Sequence, residues 1–305
     1  MHIRINECGL RVQANRRLLA ALVMLLVSSG GYAIGARGDT KGTSADSAPE
    51  AMDFRRLLDR QYLLDSGVDL PAQWGVAAFY NYSQSKLPVE NLKYGFREGE
   101  PLQSNPLVTM DDLDNTITNS GLILDYWLLP MLDIYTILGR SDGEMKSNVN
   151  TFGSSQPLGF NFTGTSYAVG GTLVMAYKQA VLIFDYNYME LDTDVYEEII
   201  PVSNATVRLG WNIGERKWLP KVAWVSYINT EFEGTFDLKQ VVGQGVDPGT
   251  VPPGTEAVLL SFEVEKYDTW ALGAQWNLNK NFQLVSEFGF VTVKGVTFAL
   301  NYRWE

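Results

Sequence analysis

From residue 71 onward the chain alternates apolar and polar positions with period two, as expected where strand side chains point to opposite faces. The pattern is cleanest at the C-terminus. There Val296, Phe298, Leu300, Tyr302 and Trp304 share one face, and Gly295, Thr297, Ala299, Asn301 and Arg303 share the other. The same alternation runs through Ala205, Val207, Leu209 and Trp211, and through Trp270, Leu272, Ala274, Trp276 and Leu278. It predicts ten strands at about 73–84, 115–127, 132–142, 165–178, 180–191, 202–213, 219–232, 265–279, 281–291 and 294–305, each long enough for the roughly 9–11 residues of a tilted membrane-crossing strand. In the third, Ile134, Tyr135, Ile137 and Leu138 put bulky groups on both faces. Val222, Trp224, Val225 and Tyr227 do the same in the seventh, and neither receives a face from the pattern.

The links decide between a soluble sandwich and a membrane barrel. Tight links at 128–131, 178–179, 213–218 and around Lys280 alternate with long ones at 85–114, 143–164 and 233–264, a medium one at 192–201 and a short one near Val293. Short turns on one side and long loops on the other mark a transmembrane barrel. An even strand count places both chain ends on the short-turn, periplasmic side. The expected fold is all-β: an antiparallel transmembrane β-barrel of about ten strands, with eight to twelve compatible with the pattern.

The N-terminus supports export. Arg4, Arg11, Arg16 and Arg17 precede an uncharged stretch from Leu18 to Val27, followed by small residues up to Ala36, the layout of a secretory signal peptide. The expected division is a signal peptide at 1–33, a periplasmic linker with a short helix at 34–70, and the barrel at 71–305. The helix is read from Phe54, Leu57, Leu58 and Leu64 at helical spacing between Pro49 and Leu64, ahead of Gly67 and Pro71.

Composition then narrows the chemistry. The chain is 46% hydrophobic and 12% aromatic with 28 glycines, yet its mean hydropathy is −0.08, so apolar residues are dispersed rather than blocked. The single cysteine, Cys8, and the single histidine, His2, would both leave with the signal peptide. Without them, histidine-dependent hydrolases and acyltransferases, histidine or thiolate metal sites, haem ligation through either residue and disulfides are excluded. A carboxylate dyad, for example Asp185 with Glu287, stays conceivable, but nothing in the sequence places the two within reach. The expectation is no enzyme, no cofactor and no metal.

Removing residues 1–33 takes four arginines and one glutamate, leaving 20 basic and 34 acidic residues, a net charge of −14. That disfavours nucleic acid and anionic lipid as partners. Many acids cluster in expected loops: Glu98 and Glu100; Asp111, Asp112 and Asp114; Asp192, Asp194, Glu197 and Glu198. They read as solvated loop tips or as a divalent-cation surface beside lipopolysaccharide.

Mid-strand charges carry more information. Asp125, Asp185, Arg208, Glu287 and Arg303 all stand opposite apolar rows, and an Arg on the lipid side at the midplane would cost about 2–4 kcal/mol. They are therefore placed in the lumen, either as a structural ion-pair network or as the lining of a narrow, solute-selective pore. Trp74, Tyr126, Trp211, Trp270 and Trp276, with Trp127, Tyr177, Tyr186, Tyr188 and Trp218, are placed at the membrane interface, where an apolar ring and a polar edge are both accommodated.

The terminal VTFALNYRW, with Phe298, Leu300, Tyr302 and Trp304 alternating ahead of Glu305, resembles the assembly signal of bacterial outer-membrane β-barrel proteins. The run from 122 to 140, LILDYWLLPMLDIYTILGR, is similar to the strand, Pro-containing turn and strand of such barrels. The resemblance spans about 70–305 and implies a Gram-negative outer-membrane location, contact with outer-membrane lipid and lipopolysaccharide, and passage through periplasmic chaperones and the barrel assembly machinery. Two functions stay open. One is a narrow porin-like channel or passive small-solute transporter. The other is a closed scaffold whose long loops, including the Gly- and Pro-rich 241–257, form an adhesive or ligand-binding surface.

Overall fold

A computed structural model describes residues 59–65, 70–95, 101–151, 154–177, 179–195, 199–214, 219–232, 236–241, 257–264 and 266–305. The expected signal peptide and the start of the linker lie outside these residues. So does most of the helix expected from 49 to 64, which is not supported as such. One six-residue helical turn, α1 (Arg60–Asp65), is present. Asp59 caps it by accepting from the Gln61 amide, and Gln61 donates to Asp65 one turn on. A turn this short is not stable by itself. Arg60 ties it to the barrel by donating to the Pro71 carbonyl and pairing with Glu305 at 3.3 Å.

The strands are β1 (Trp74–Leu87), β2 (Val89–Gly95), β3 (Val108–Met110), β4 (Leu113–Leu129), β5 (Leu132–Thr151), β6 (Ser154–Tyr177), β7 (Ala180–Thr193), β8 (Ile200–Asn212), β9 (Val222–Phe232), β10 (Phe236–Val241), β11 (Ala257–Val264), β12 (Tyr267–Asn277), β13 (Phe282–Phe290) and β14 (Val293–Trp304). Ten of them close an antiparallel barrel in the order β1, β4, β5, β6, β7, β8, β9, β12, β13, β14. The last strand returns to the first with Trp74 opposite Trp304 and Ser85 opposite Val293, so no edge is left open. β3 lengthens the β5 edge at its outer end, and β10, β11 and β2 form a separate three-stranded sheet.

The ten barrel strands match the ten periodic segments, but the links between them hold more structure than loops. The stretch 143–164 is the continuation of β5 and β6, paired without a break from Leu132 opposite Leu173 to Thr151 opposite Ser154. At 20 and 24 residues these strands run well beyond the roughly 9–11 that cross a bilayer. Beyond the bilayer no row of lipid-facing apolar side chains is required, so the sequence loses its strong alternation there. Acids from the expected loops fasten this extension: Asp111 accepts from the Asn148 and Asn150 amides, and Asp194 accepts from the backbone and hydroxyl of Thr163.

The outer surface carries an aliphatic band, with Leu122, Leu124, Ile134, Leu138, Val207, Leu209, Leu272 and Leu300 all exposed, the most open at 59%. Exposure on this scale is incompatible with water and fits lipid. Exposed rings bracket the band. Trp74, Tyr177, Trp211, Phe282, Tyr302 and Trp304 stand towards the short-turn end; Tyr80, Tyr82, Tyr167, Trp270, Phe288 and Phe290 stand towards the other. Tyr126 and Trp276 belong to the first row but are half-buried, Tyr126 against Trp74 at 4.5 Å between ring centroids. Tyr186 is exposed and Tyr188 shares its outward face, while Trp218 lies outside the described residues. Trp127 departs from expectation: it shares the inner face with Asp125, and its ring lies 5.8 Å from the Arg303 guanidinium carbon. Together the closed sheet and its apolar belt make this a transmembrane barrel of the bacterial outer-membrane type.

Candidate functional site: the barrel interior

Pairing register fixes the inner face in every strand, because residues directly opposite in neighbouring strands point the same way. In the third barrel strand it turns Tyr135 and Ile137 inward and Ile134 and Leu138 outward; in the seventh, Val222 and Trp224 face inward and Val225 and Tyr227 outward. The bulky inward residues have room for a specific reason. Tyr135 lies over Gly170, Trp224 over Gly273, Phe79 over Gly121 and Gly139, Phe162 over Gly143, and the Asp125 carboxylate over Gly75, each so close that a Cβ on the glycine would fall within 3.0 Å of the neighbour or its ring (3.6 Å for Phe79 on Gly139). Large inner side chains thus lie flat along the wall instead of projecting to the axis.

The five mid-strand charges all occupy this inner face, in two groups. Near the periplasmic end Arg303 Nη2 meets Asp125 Oδ1 at 2.6 Å, both side chains more than nine-tenths buried, and Arg303 Nη1 donates to the Ala72 carbonyl at 3.3 Å. Further in, Arg208 Nε pairs with Glu287 Oε2 at 3.1 Å, and the same oxygen accepts from Trp224 Nε1 at 2.7 Å and Ser226 Oγ at 3.0 Å. Asp185 instead accepts from the Tyr135 hydroxyl at 3.0 Å and Thr172 Oγ1 at 2.7 Å. Asp185 and Glu287 stand on β7 and β13, four strands apart in the barrel, each with its own donors. The conceivable carboxylate dyad is not assembled.

Above these charges run two chains of neutral polar groups. Thr230 donates to Asn204, Asn204 to Asn187 and Asn187 to Tyr135, at 2.8, 3.0 and 3.4 Å. On the far wall Ser141 donates to Asn119, Asn119 to Asn81 and Asn81 to Thr297, at 2.6, 3.2 and 2.8 Å. The outer end changes character entirely. Leu87, Leu113, Met145, Leu158, Phe162, Leu191, Ile200 and Val202 from the barrel strands are buried together with Leu260, Phe262 and Val264 of β11, and Phe262 is fully enclosed. β11, with β2 beside it, therefore lays an apolar seal against the outer end of the barrel strands.

Sequence reasoning did not single out Asp133, Tyr135, Trp224 or the asparagine chains. Asp133 and Tyr135 fell in a strand with no assigned face, as did Trp224. The missing signal was the glycine on the adjacent strand, which only the pairing register connects to its ring.

No protein-family model and no curated protein sequence matches the chain. Among solved structures it is similar to the outer membrane protein OprG from Pseudomonas aeruginosa, at 8% identity and a TM-score of 0.43 over 77% of this chain and 98% of that one. It is also similar to the translocator domain of the autotransporter NalP from Neisseria meningitidis (9%, TM-score 0.38, 82% and 94% covered) and to an outer membrane channel from Pseudomonas putida F1 (10%, TM-score 0.37, 77% and 96% covered). All three are barrels with TM-scores below 0.5, and the likeness goes no further.

Proposed function

We propose that this barrel is a narrow, passive channel for small solutes, with Asp125, Asp185, Arg208, Glu287 and Arg303 shaping its passage. The observation that carries the reading is the flat packing of inner side chains over inward-facing glycines. A ten-stranded barrel is only a little wider than an eight-stranded one, whose interior side chains can fill it, so an axis is kept clear only if large groups lie along the wall. Tyr135 over Gly170 and Trp224 over Gly273 do this at the level of the Glu287 and Asp185 carboxylates. The outward rings of Trp74, Tyr126, Trp211, Trp270 and Trp276 mark the two headgroup levels, and Phe298, Leu300, Tyr302 and Trp304 act as the assembly signal. Lipopolysaccharide contacts the outer belt, and periplasmic chaperones and the assembly machinery deliver the chain.

The apolar seal favours one alternative, a closed scaffold that presents the β2, β11 and β10 sheet as a surface for binding. Single-channel recording separates the two readings. The folded barrel, checked by heat-shifted gel mobility, should give discrete conductance steps that grow when Phe262→Asp weakens the seal and change when Arg208 or Glu287 is neutralised. A barrel that folds yet stays silent in both the parent and Phe262→Asp forms would sink the channel and move the function to the outer sheet.

A further inference from the structure

We propose that Asp133, flanked by Asp125 and Asp185 on the inner wall, is a site for a monovalent cation or the ammonium group of a small amine, and that it makes the passage cation-selective. The inference deepens the channel reading and rests on it.

Its basis is an imbalance of charge. Among the described residues the membrane-level inner face carries four carboxylates, Asp125, Asp133, Asp185 and Glu287, against two cations, Arg208 and Arg303. Arg303 is taken up by Asp125 and Arg208 by Glu287. Asp185 is satisfied by hydroxyl donors, which stabilise its charge without cancelling it. Arg60 reaches the same end of the barrel, where its Nη2 is engaged by the Pro71 carbonyl and by Glu305; its Nη1 is buried without a hydrogen-bond partner and makes no ion pair with Asp133.

Asp133 supplies the second, independent observation. It is 8% exposed, and its Oδ1 is buried with no hydrogen-bond partner. A buried carboxylate oxygen without a donor is costly, and a positive charge beside it removes that cost. Register places Asp133 opposite Thr172 on β6, and Thr172 opposite Asp185 on β7, so the three side chains form a row across the inner wall. Its other neighbour is Trp127 on β4, whose inward ring already carries the Arg303 guanidinium at 5.8 Å, so the incoming charge is held by the carboxylates.

The donor set points to a weakly held single charge. Calcium takes about six to eight oxygens, and Asp185 already spends its oxygens on Tyr135 and Thr172. A site in a passage must also release what it binds. A singly charged ion or ammonium group held mainly by one carboxylate meets both conditions.

The test uses the protein purified from membranes as the folded barrel, in planar bilayers with a KCl gradient, and Tl+ as a probe of equilibrium binding by thallium NMR. The parent should pass K+ over Cl− by about tenfold, the low end of what a charged cleft achieves by focusing counter-ions. Asp133→Asn should bring the ratio towards one and abolish Tl+ binding, Asp133→Glu should keep both, and Asp142→Asn on the outward face should change neither. If Asp133→Asn does not fold, Asp185→Asn is the second variant and should weaken both readouts. Conductance without selectivity and without Tl+ binding overturns the cation site and leaves the channel standing. A silent barrel that binds Tl+ through Asp133 overturns the channel and keeps the site; a silent barrel that binds none overturns both.

Discussion

Between its periplasmic end and mid-depth the inner wall carries Arg303 on Asp125, Arg208 on Glu287 and Tyr135 on Asp185, each of these groups answered by its partner. At the outer end the same ten strands surround Leu87, Leu113, Phe162 and Val202, joined by Leu260, Phe262 and Val264 from a sheet that is not part of the barrel. The first region is built into the cylinder and cannot leave without opening it. The second is completed from outside, by a sheet whose three strands pair with one another and, through a bridge from Tyr94 to Gln103, with the link that follows β2, but not with the barrel strands. Disruption should therefore register globally in the first region and locally in the second.

The sharpest break of that contrast is Arg208→Ala. It strands the Glu287 carboxylate with both side chains largely enclosed, and removing one partner of a buried pair typically costs about 3–5 kcal/mol. Urea unfolding in lipid should show the loss, and Arg208→Met with Glu287→Leu should recover most of it. If the single variant unfolds like the parent, the mid-barrel pair is solvated and the distinction between the regions is lost.

Next in size is Gly273→Ala. A methyl there meets the Trp224 indole, so the ring must leave the wall, at about 1–3 kcal/mol by analogy with overpacked cores. The displaced ring also moves towards the axis and takes Trp224 Nε1 away from Glu287. Both stability and conductance should fall, and a conductance unchanged in a destabilised barrel would show that the ring never bordered the passage. The same argument marks what the sequence could and could not disclose. Strand positions and the lipid face of Phe298, Leu300 and Tyr302 were legible, because a bilayer forces period two on every crossing residue. The inward turn of Trp224 was not, because its cause is Gly273 on a strand far away in sequence. The continuation of β5 and β6 through 143–164 was missed for a related reason: outside the bilayer nothing compels Lys146 or Asn148 to be apolar. The five luminal charges were named from their strands alone, but their division into Arg303 with Asp125 and Arg208 with Glu287 follows from barrel closure, which brings β14 beside β1 and β8 near β13.

The smallest expected change in global stability is the most informative about the outer end. Phe262→Asp places a charge at a fully enclosed ring position of the apolar cluster. In the body of a barrel such a change would rank among the severe ones. Here the sheet of β2, β11 and β10 can swing away and hydrate the new carboxylate, since among the described residues its strands make no ladder with the barrel strands. The unfolding free energy from urea titration should therefore fall by less than about 1 kcal/mol. Limited proteolysis between β10 and β11 should become much faster, and conductance should rise. A large global loss instead would mean that the outer sheet is as integral to the fold as Arg208 and Glu287, and that the mouth does not open independently of the barrel.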